Sequence, residues 1–167
     1  MLSNAQWQGG SRLKIDLKWD KPIRLKEGSK QNQIYSVRGL DRIPKKAGVY
    51  IFARTFGKFT EPLYVGQALK LRNRIDGQLN NVRLMMGVKN AQAGRRILLV
   101  AHLKLHPGQQ KGKVLDIVES ALIKHALAGG SELLNKQGVK TRVHVIRSEG
   151  NTSSKKVAPL RMLVERR

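Results

Sequence analysis

The stretch from Gly48 to Leu79 constrains the fold more than any other part of the chain. Val49-Tyr50-Ile51-Phe52 carries apolar bulk on both faces, as a strand covered on both sides must. Thr55-Phe56-Gly57-Lys58 breaks that run and Pro62 to Val65 resumes it, so the segment reads as a β-hairpin. Opposed residues in a two-stranded ribbon lie about 5 Å apart, which brings Tyr50 and Tyr64 to one face if the register allows it. Beyond the hairpin, Ala68, Leu71, Ile75 and Leu79 recur at three- and four-residue steps and predict a helix with a core stripe. Arg74 lies beside that stripe, where a guanidinium calls for an anion.

Charge narrows the partners. The formal net charge is +22, from 33 Lys+Arg against 11 Asp+Glu in 167 residues, and a field of that sign makes polyanions the expected ligands. An anionic membrane is disfavoured, because no apolar run approaches the ~20 residues of a spanning helix and the basic residues are not gathered on one amphipathic helix. A ribosomal or architectural protein would carry the same charge, so charge alone does not define an enzyme. With no cysteine, disulfides, thiolate zinc sites and a Cys nucleophile are all excluded. The first residues are too polar for a signal peptide, so the expected compartment is the cytoplasm, or the nucleoid when DNA is bound.

Taken in order, Gly9-Gly10-Ser11 reads as a hinge before an alternating strand with Leu13, Ile15, Leu17 and Trp19 on one face. Its charged face, Lys14, Asp16 and Lys18, is that of an outer strand or of a strand in contact with phosphate. Residues 20–32, with Pro22 and Gly28, read as a loop, and Ile34 to Val37 as another short strand. Residues 1–46 hold eleven Lys or Arg against four acids and form a basic extension that adds nucleic-acid contacts or simply widens the sheet. After the Arg74 helix, Asn80 to Gly87 is a second short helix or an irregular cover. Arg95-Arg96 then introduces an apolar run from Ile97, expected as a central strand.

A helix over Lys113 to Leu127 gathers Lys113, Asp116, Ser120 and Lys124 on one narrow side. Glu119 falls outside that group, among Leu115, Ile123 and Ala126. A carboxylate on an apolar flank needs a cation, a hydrogen bond or a proton, so a divalent metal and an ion pair with Arg74 both answer the pattern. Ala128-Gly129-Gly130 stops the helix, Leu133-Leu134-Asn135 follows, and Val139 to Val145 alternates as a last strand. Residues 148–156 suit a loop, and Pro159 to Val164 a strand or short helix. His102 and His106 sit near a strand end, where four-residue spacing does not build a shared metal site.

Gly48-Val49-Tyr50, Tyr64-Val65-Gly66, Arg74, Glu119 and Leu133-Leu134-Asn135, in that order over about residues 43–136, together resemble the GIY-YIG nuclease family. Valine replaces the central isoleucine of both tripeptides. The resemblance implies an α/β (α+β) fold: a small mixed or antiparallel sheet flanked by helices, with a nuclease core at 47–147 between the basic extension and a basic tail at 148–167. It also implies an endonuclease whose Glu119 holds Mg²⁺ (or Mn²⁺), whose Arg74 grips phosphate and whose Asn135 holds the site together. Tyr64 is then the proton acceptor, with Tyr50 positioning water or phosphate. Two positions depart from the family: Gln67 stands where some relatives have lysine, and Gln78 where histidine or tyrosine is common.

Hydrolysis of a phosphodiester needs an in-line oxygen nucleophile, neutralisation of growing phosphate charge and a stabilised leaving oxygen. This inventory supplies each. A phenol of pKa ~10 is a poor base unless a metal or positive field favours the phenolate. Lys70, Gln67, Gln78, Arg95 and Arg96 are further candidate nucleic-acid contacts; Arg72 is a second phosphate contact or a solvated helix residue. The expected partner is nucleic acid, DNA foremost, bound by a monomer or homodimer. The alternatives are a catalytically weak binding module on the same fold, and a ribosome-associated structural protein, which leaves Glu119 unexplained.

Overall fold

The computed structural model describes residues 14–28, 30–135, 142–147, 151, 153–154 and 161–166. At its centre is β4 (Gly48–Phe56), buried along most of its length and paired antiparallel on both sides, with β5 (Phe59–Ala68) and β6 (Arg95–Lys104). The hairpin between β4 and β5 turns at Gly57, which takes φ 55°.

Double burial of β4 follows from a helical layer on each face. On one face Tyr50, Phe52, Leu98 and Val100 pack against α1 (Leu71–Leu79) and α2 (Val82–Asn90) through Leu71, Ile75, Leu79, Met85 and Val88. On the other, Val49, Ile51, Ala53 and Val65 meet α3 (Lys111–Ala128) through Val114, Leu115, Val118, Ile123 and Ala126. Full burial of a side chain of this size contributes about 1.5–3 kcal/mol relative to exposure. Asn81 caps α2, its Oδ1 accepting from the Leu84 amide at 3.0 Å. Gly130 ends α3 in the left-handed conformation (φ 88°), and the Ser131 amide closes back on the Ala126 carbonyl.

The N-terminal region widens the sheet. β1 (Asp16–Trp19) pairs with residues 101–104 of β6, and Ile15 and Leu17 pack on the α3 side, whereas Trp19 is exposed. The loop expected over 20–32 is instead largely a strand, β2 (Ile23–Glu27), which pairs with β6 and with β3 (Tyr35–Val37). Its alternation of Ile23 and Leu25 with Arg24 and Lys26 is that of a strand with one face on the core. A single turn of 3₁₀ helix, Leu40–Arg42, leads from β3 towards β4.

The six strands run β3-β2-β6-β4-β5, with β1 beside β2 on β6, and every ladder is antiparallel; the mixed alternative is not taken. The cover after α1 is the helical α2, extending to Asn90. β7 (Arg142–Arg147) pairs with β8 (Arg161–Arg166) in a separate two-stranded sheet, so the expected last strand of the core is joined to the tail. The expected Gly9-Gly10-Ser11 hinge, Leu13, Val139 and most of 148–160 lie outside the described residues. No described helix is long and apolar enough to cross a membrane.

Candidate active site

Two glycines bring the hairpin's tyrosines into place. A Cβ at Gly48 would overlap the Ala101 carbonyl oxygen on the neighbouring strand, and one at Gly66 would overlap the Tyr50 hydroxyl and Cζ. In register, Tyr50 stands opposite Gly66 and Phe52 opposite Tyr64, so the phenol of Tyr50 lies over a position without a side chain. Tyr50 and Tyr64 are therefore diagonal neighbours on one face, stacked with centroids 6.1 Å apart. Tyr50 is fully buried, and among the described residues its hydroxyl has no hydrogen-bond partner. Burial, and then the neighbouring Tyr64, push its pKa far above the usual phenol value; Gln78 and Arg74 are near enough to offset part of this without satisfying the hydroxyl.

That burial corrects one expectation. Tyr50 does not present its hydroxyl to water or phosphate at the surface but stands behind Tyr64. Tyr64 is half-buried, and its hydroxyl accepts from Gln78 Nε2 at 3.4 Å.

Glu119 reaches the same end of β5 from the opposite face. Its Oε2 accepts from Gln67 Nε2 at 3.0 Å, and that nitrogen also donates to Asp116 Oδ1 at 2.7 Å. Gln67 is thus the bridge between two carboxylates one helical turn apart. Burial raises the Glu119 pKa, Asp116 raises it further, and the Gln67 hydrogen bond and the Arg74 charge pull the other way. Among the described residues Arg74 and Glu119 form no ion pair within 4 Å. Arg74, exposed on α1, nevertheless exerts its charge on both Tyr50 and Glu119, which places phenols, guanidinium and carboxylate around one end of the outermost strand.

Asn135 secures that end. Its Nδ2 donates to the Val65 carbonyl at 2.6 Å and its Oδ1 accepts from the Val65 amide at 3.3 Å, so both polar groups of the residue between Tyr64 and Gly66 are held by one side chain. Asp116 was not singled out as a site residue from the sequence; the available signal was its three-residue spacing from Glu119, which stacks the two on a helix surface. No family model, curated protein or solved structure matches this chain.

The remaining expected contacts divide. Lys70 precedes α1 and is exposed near Arg74, while Arg72 is half-buried and donates from Nε to the Ile43 carbonyl at 2.8 Å. Arg95 is exposed but pairs with Thr55, five residues along β4 from Tyr50, or about 17 Å at ~3.3 Å per residue. Arg96 is not a surface contact. It is buried, and its guanidinium donates to the carbonyls of Val88, Lys89, Ala91 and Gly94, bracing the end of α2 where carbonyls lack helical partners. Arg96→Ala strands those carbonyls and is expected to cost about 2–4 kcal/mol in urea unfolding. The affinity of the folded variant for DNA should change no more than after loss of any one surface charge; a larger fall would return Arg96 to the binding surface.

His102 and His106 face different aspartates, His106 Nε2 lying 2.7 Å from Asp16 and His102 Nδ1 3.8 Å from Asp20. Among the described residues no three His, Cys, Asp or Glu side chains gather as a metal cage. The oxygen donors at the candidate site are the Asp116 and Glu119 pair.

Proposed function

We propose that this chain is a metal-dependent endonuclease that hydrolyses phosphodiester bonds in DNA, on a core similar to that of the GIY-YIG nucleases. The observation that carries the reading is the convergence of Tyr50, Tyr64, Arg74 and Glu119, in which one buried hydroxyl lacks a partner among the described residues and one carboxylate is shifted by burial. A buried hydroxyl without a partner and a carboxylate above its ordinary pKa both cost free energy, and such costs concentrate where a ligand or reaction uses them.

The residues fit a hard divalent cation. Asp116 and Glu119 share one Gln67 nitrogen, which marks where positive charge is favoured between them. These two carboxylates would hold Mg²⁺ or Mn²⁺, which supplies neutralisation of phosphate charge and acidification of a bound water. Arg74 offers its planar donor fork to a non-bridging oxygen. Tyr64, with Gln78 donating to its hydroxyl, is oriented to accept the proton of the attacking water. Tyr50 stays protonated behind it and fixes the ring by stacking; Asn135 keeps the Val65 peptide, and with it Tyr64, in register.

Supercoiled plasmid incubated with the protein and Mg²⁺ should be nicked or linearised, with no product in EDTA. Tyr64→Phe should reduce the rate by about 10²–10⁴-fold, the range for loss of a general base, without weakening DNA binding. The ratio of nicked to linear product separates a monomer from a homodimer. A plasmid that is shifted on the gel but never cut, with branched DNA and RNA also intact, would replace the enzyme by a binding module.

A further inference from the structure

At the sheet edge where β2 leaves β6 lies a hollow of about 500 Å³ that the proposed chemistry does not use. Lys21, Arg24, Lys26, Arg38 and Arg42 line it, and Asp20 is the one acid among the described lining residues. Asp20 is turned towards His102, and among the described residues none of the five cations has a carboxylate within 4 Å. Ile23, Ile43 and Val100 form an apolar floor.

Five cations held together without counter-charge repel one another, an arrangement that a polyanion relieves. The hollow belongs to the basic N-terminal region: Lys21, Arg24 and Lys26 come from β2 and its approach, Arg38 and Arg42 from the passage between β3 and β4. Its position relative to the phenols is fixed by the sheet. Val100 stands opposite Tyr50 in register, β2 lies beyond β6 and β5 on the other side of β4. Two to three strand spacings of ~4.8 Å therefore separate the hollow from Tyr50 and Tyr64, about 10–15 Å, or three to four base pairs at ~3.4 Å.

We propose that this hollow is a second anchor for the DNA backbone, gripping phosphates about three to four base pairs from the one beside Tyr64. This rests on the nucleic-acid reading of the adjacent site but not on its being catalytic. An anchor at that distance sets which phosphate reaches Tyr64 without any reading of base identity.

The test is fluorescence anisotropy with a labelled duplex of about 20 base pairs, in EDTA so that nothing is cut, over a range of salt. The exposed triple Arg24→Ala/Arg38→Ala/Arg42→Ala is compared with Lys58→Ala/Lys104→Ala/Lys111→Ala, which removes the same charge elsewhere. The hollow triple should bind about 10- to 10²-fold more weakly near physiological salt and lower the slope of log K against log salt by about 2–3, at ~0.9 per phosphate lost. The control should move affinity by less than about threefold, and Arg24→Glu alone should reproduce the direction. Equal weakening by both triples would reduce the hollow to part of a diffuse positive field and overturn the proposal. So would wild-type binding by the hollow triple, or a loss confined to duplex RNA. Because cleavage is read separately, a protein that never cuts but loses DNA through the hollow triple leaves the anchor standing and removes the nuclease.

Discussion

Glu119→Gln is expected to lower Mg²⁺-dependent cleavage by at least about 10²-fold, the scale of losing one stabiliser of transition-state charge, while the fold becomes no less stable. Both halves follow from the same geometry. The carboxylate is half-buried, faces Asp116 and has its pKa raised, so the folded protein holds its ionised form less readily than the unfolded chain does. A raised carboxyl pKa means that the folded state binds more protons, and stability falls as pH rises from the ordinary glutamate range, ~4.3, through the folded value. Glutamine keeps an oxygen for the Gln67 donor and removes the charge. The melting temperature of the variant relative to the parent should therefore rise across that pH window and then level off. Cleavage by the parent should show an acid limb above the ordinary glutamate range, because on the proposed mechanism the cation is held by the ionised form of Glu119. A variant that cuts at the parental rate would remove Glu119 from the chemistry, and one markedly less stable at neutral pH would show the carboxylate to be paired.

A large loss of stability should come from Gly48→Ala, about 3 kcal/mol or more in urea unfolding, because the new methyl meets a backbone carbonyl of the paired strand that cannot move without opening the ladder. Gly66→Ala meets a side chain instead, the Tyr50 phenol, and forces a buried ring out of place at about 1–3 kcal/mol. Tyr50→Phe alone should be neutral or stabilising by about 1 kcal/mol, since it removes a buried hydroxyl without a partner. The double change Gly66→Ala/Tyr50→Phe should then cost less than the sum of the two, a coupling expected of groups in contact. Gly77→Ala is the control: nothing lies within 4 Å of its Cβ in α1, so it should stabilise by about 0.5–1 kcal/mol. Strict additivity at Gly66 and Tyr50 would show that the hydroxyl itself does not crowd the new methyl.

The sequence made the central hairpin, α1, β6 and α3 legible because each carries a strong periodic pattern bounded by glycine or polar residues. β2 was missed because Pro22 and Gly28 punctuate a strand of only five residues, and its two inward positions, Ile23 and Leu25, are too few to outweigh them. Arg95-Arg96 looked like one basic patch, yet side chains alternate along a strand. Arg96 shares its face with Leu98 and Val100, the core side, while Arg95 points to solvent. Gln67 stood out only as a departure where some relatives have lysine and as a candidate nucleic-acid contact. What the sequence could not carry is that two carboxylates on another element would arrive at its amide, a relation set by tertiary packing. The burial of Tyr50 was illegible for the same reason, because it depends on which residue of β5 lies opposite.

The two hydrogen bonds from Asn135 to the Val65 peptide have a consequence beyond the site. Among the described residues β5 has a strand partner on one side only, and its other side would offer amide and carbonyl groups as a template for a foreign strand. By answering both groups of one residue, the Asn135 carboxamide imitates the missing strand at Val65, and beside it the Leu134 amide donates to the Leu63 carbonyl, so the ladder is blocked in the middle. Asn135 and its neighbour thus guard this margin against another copy of the chain, and on the nuclease reading the margin they guard is the one that leads to the phenols.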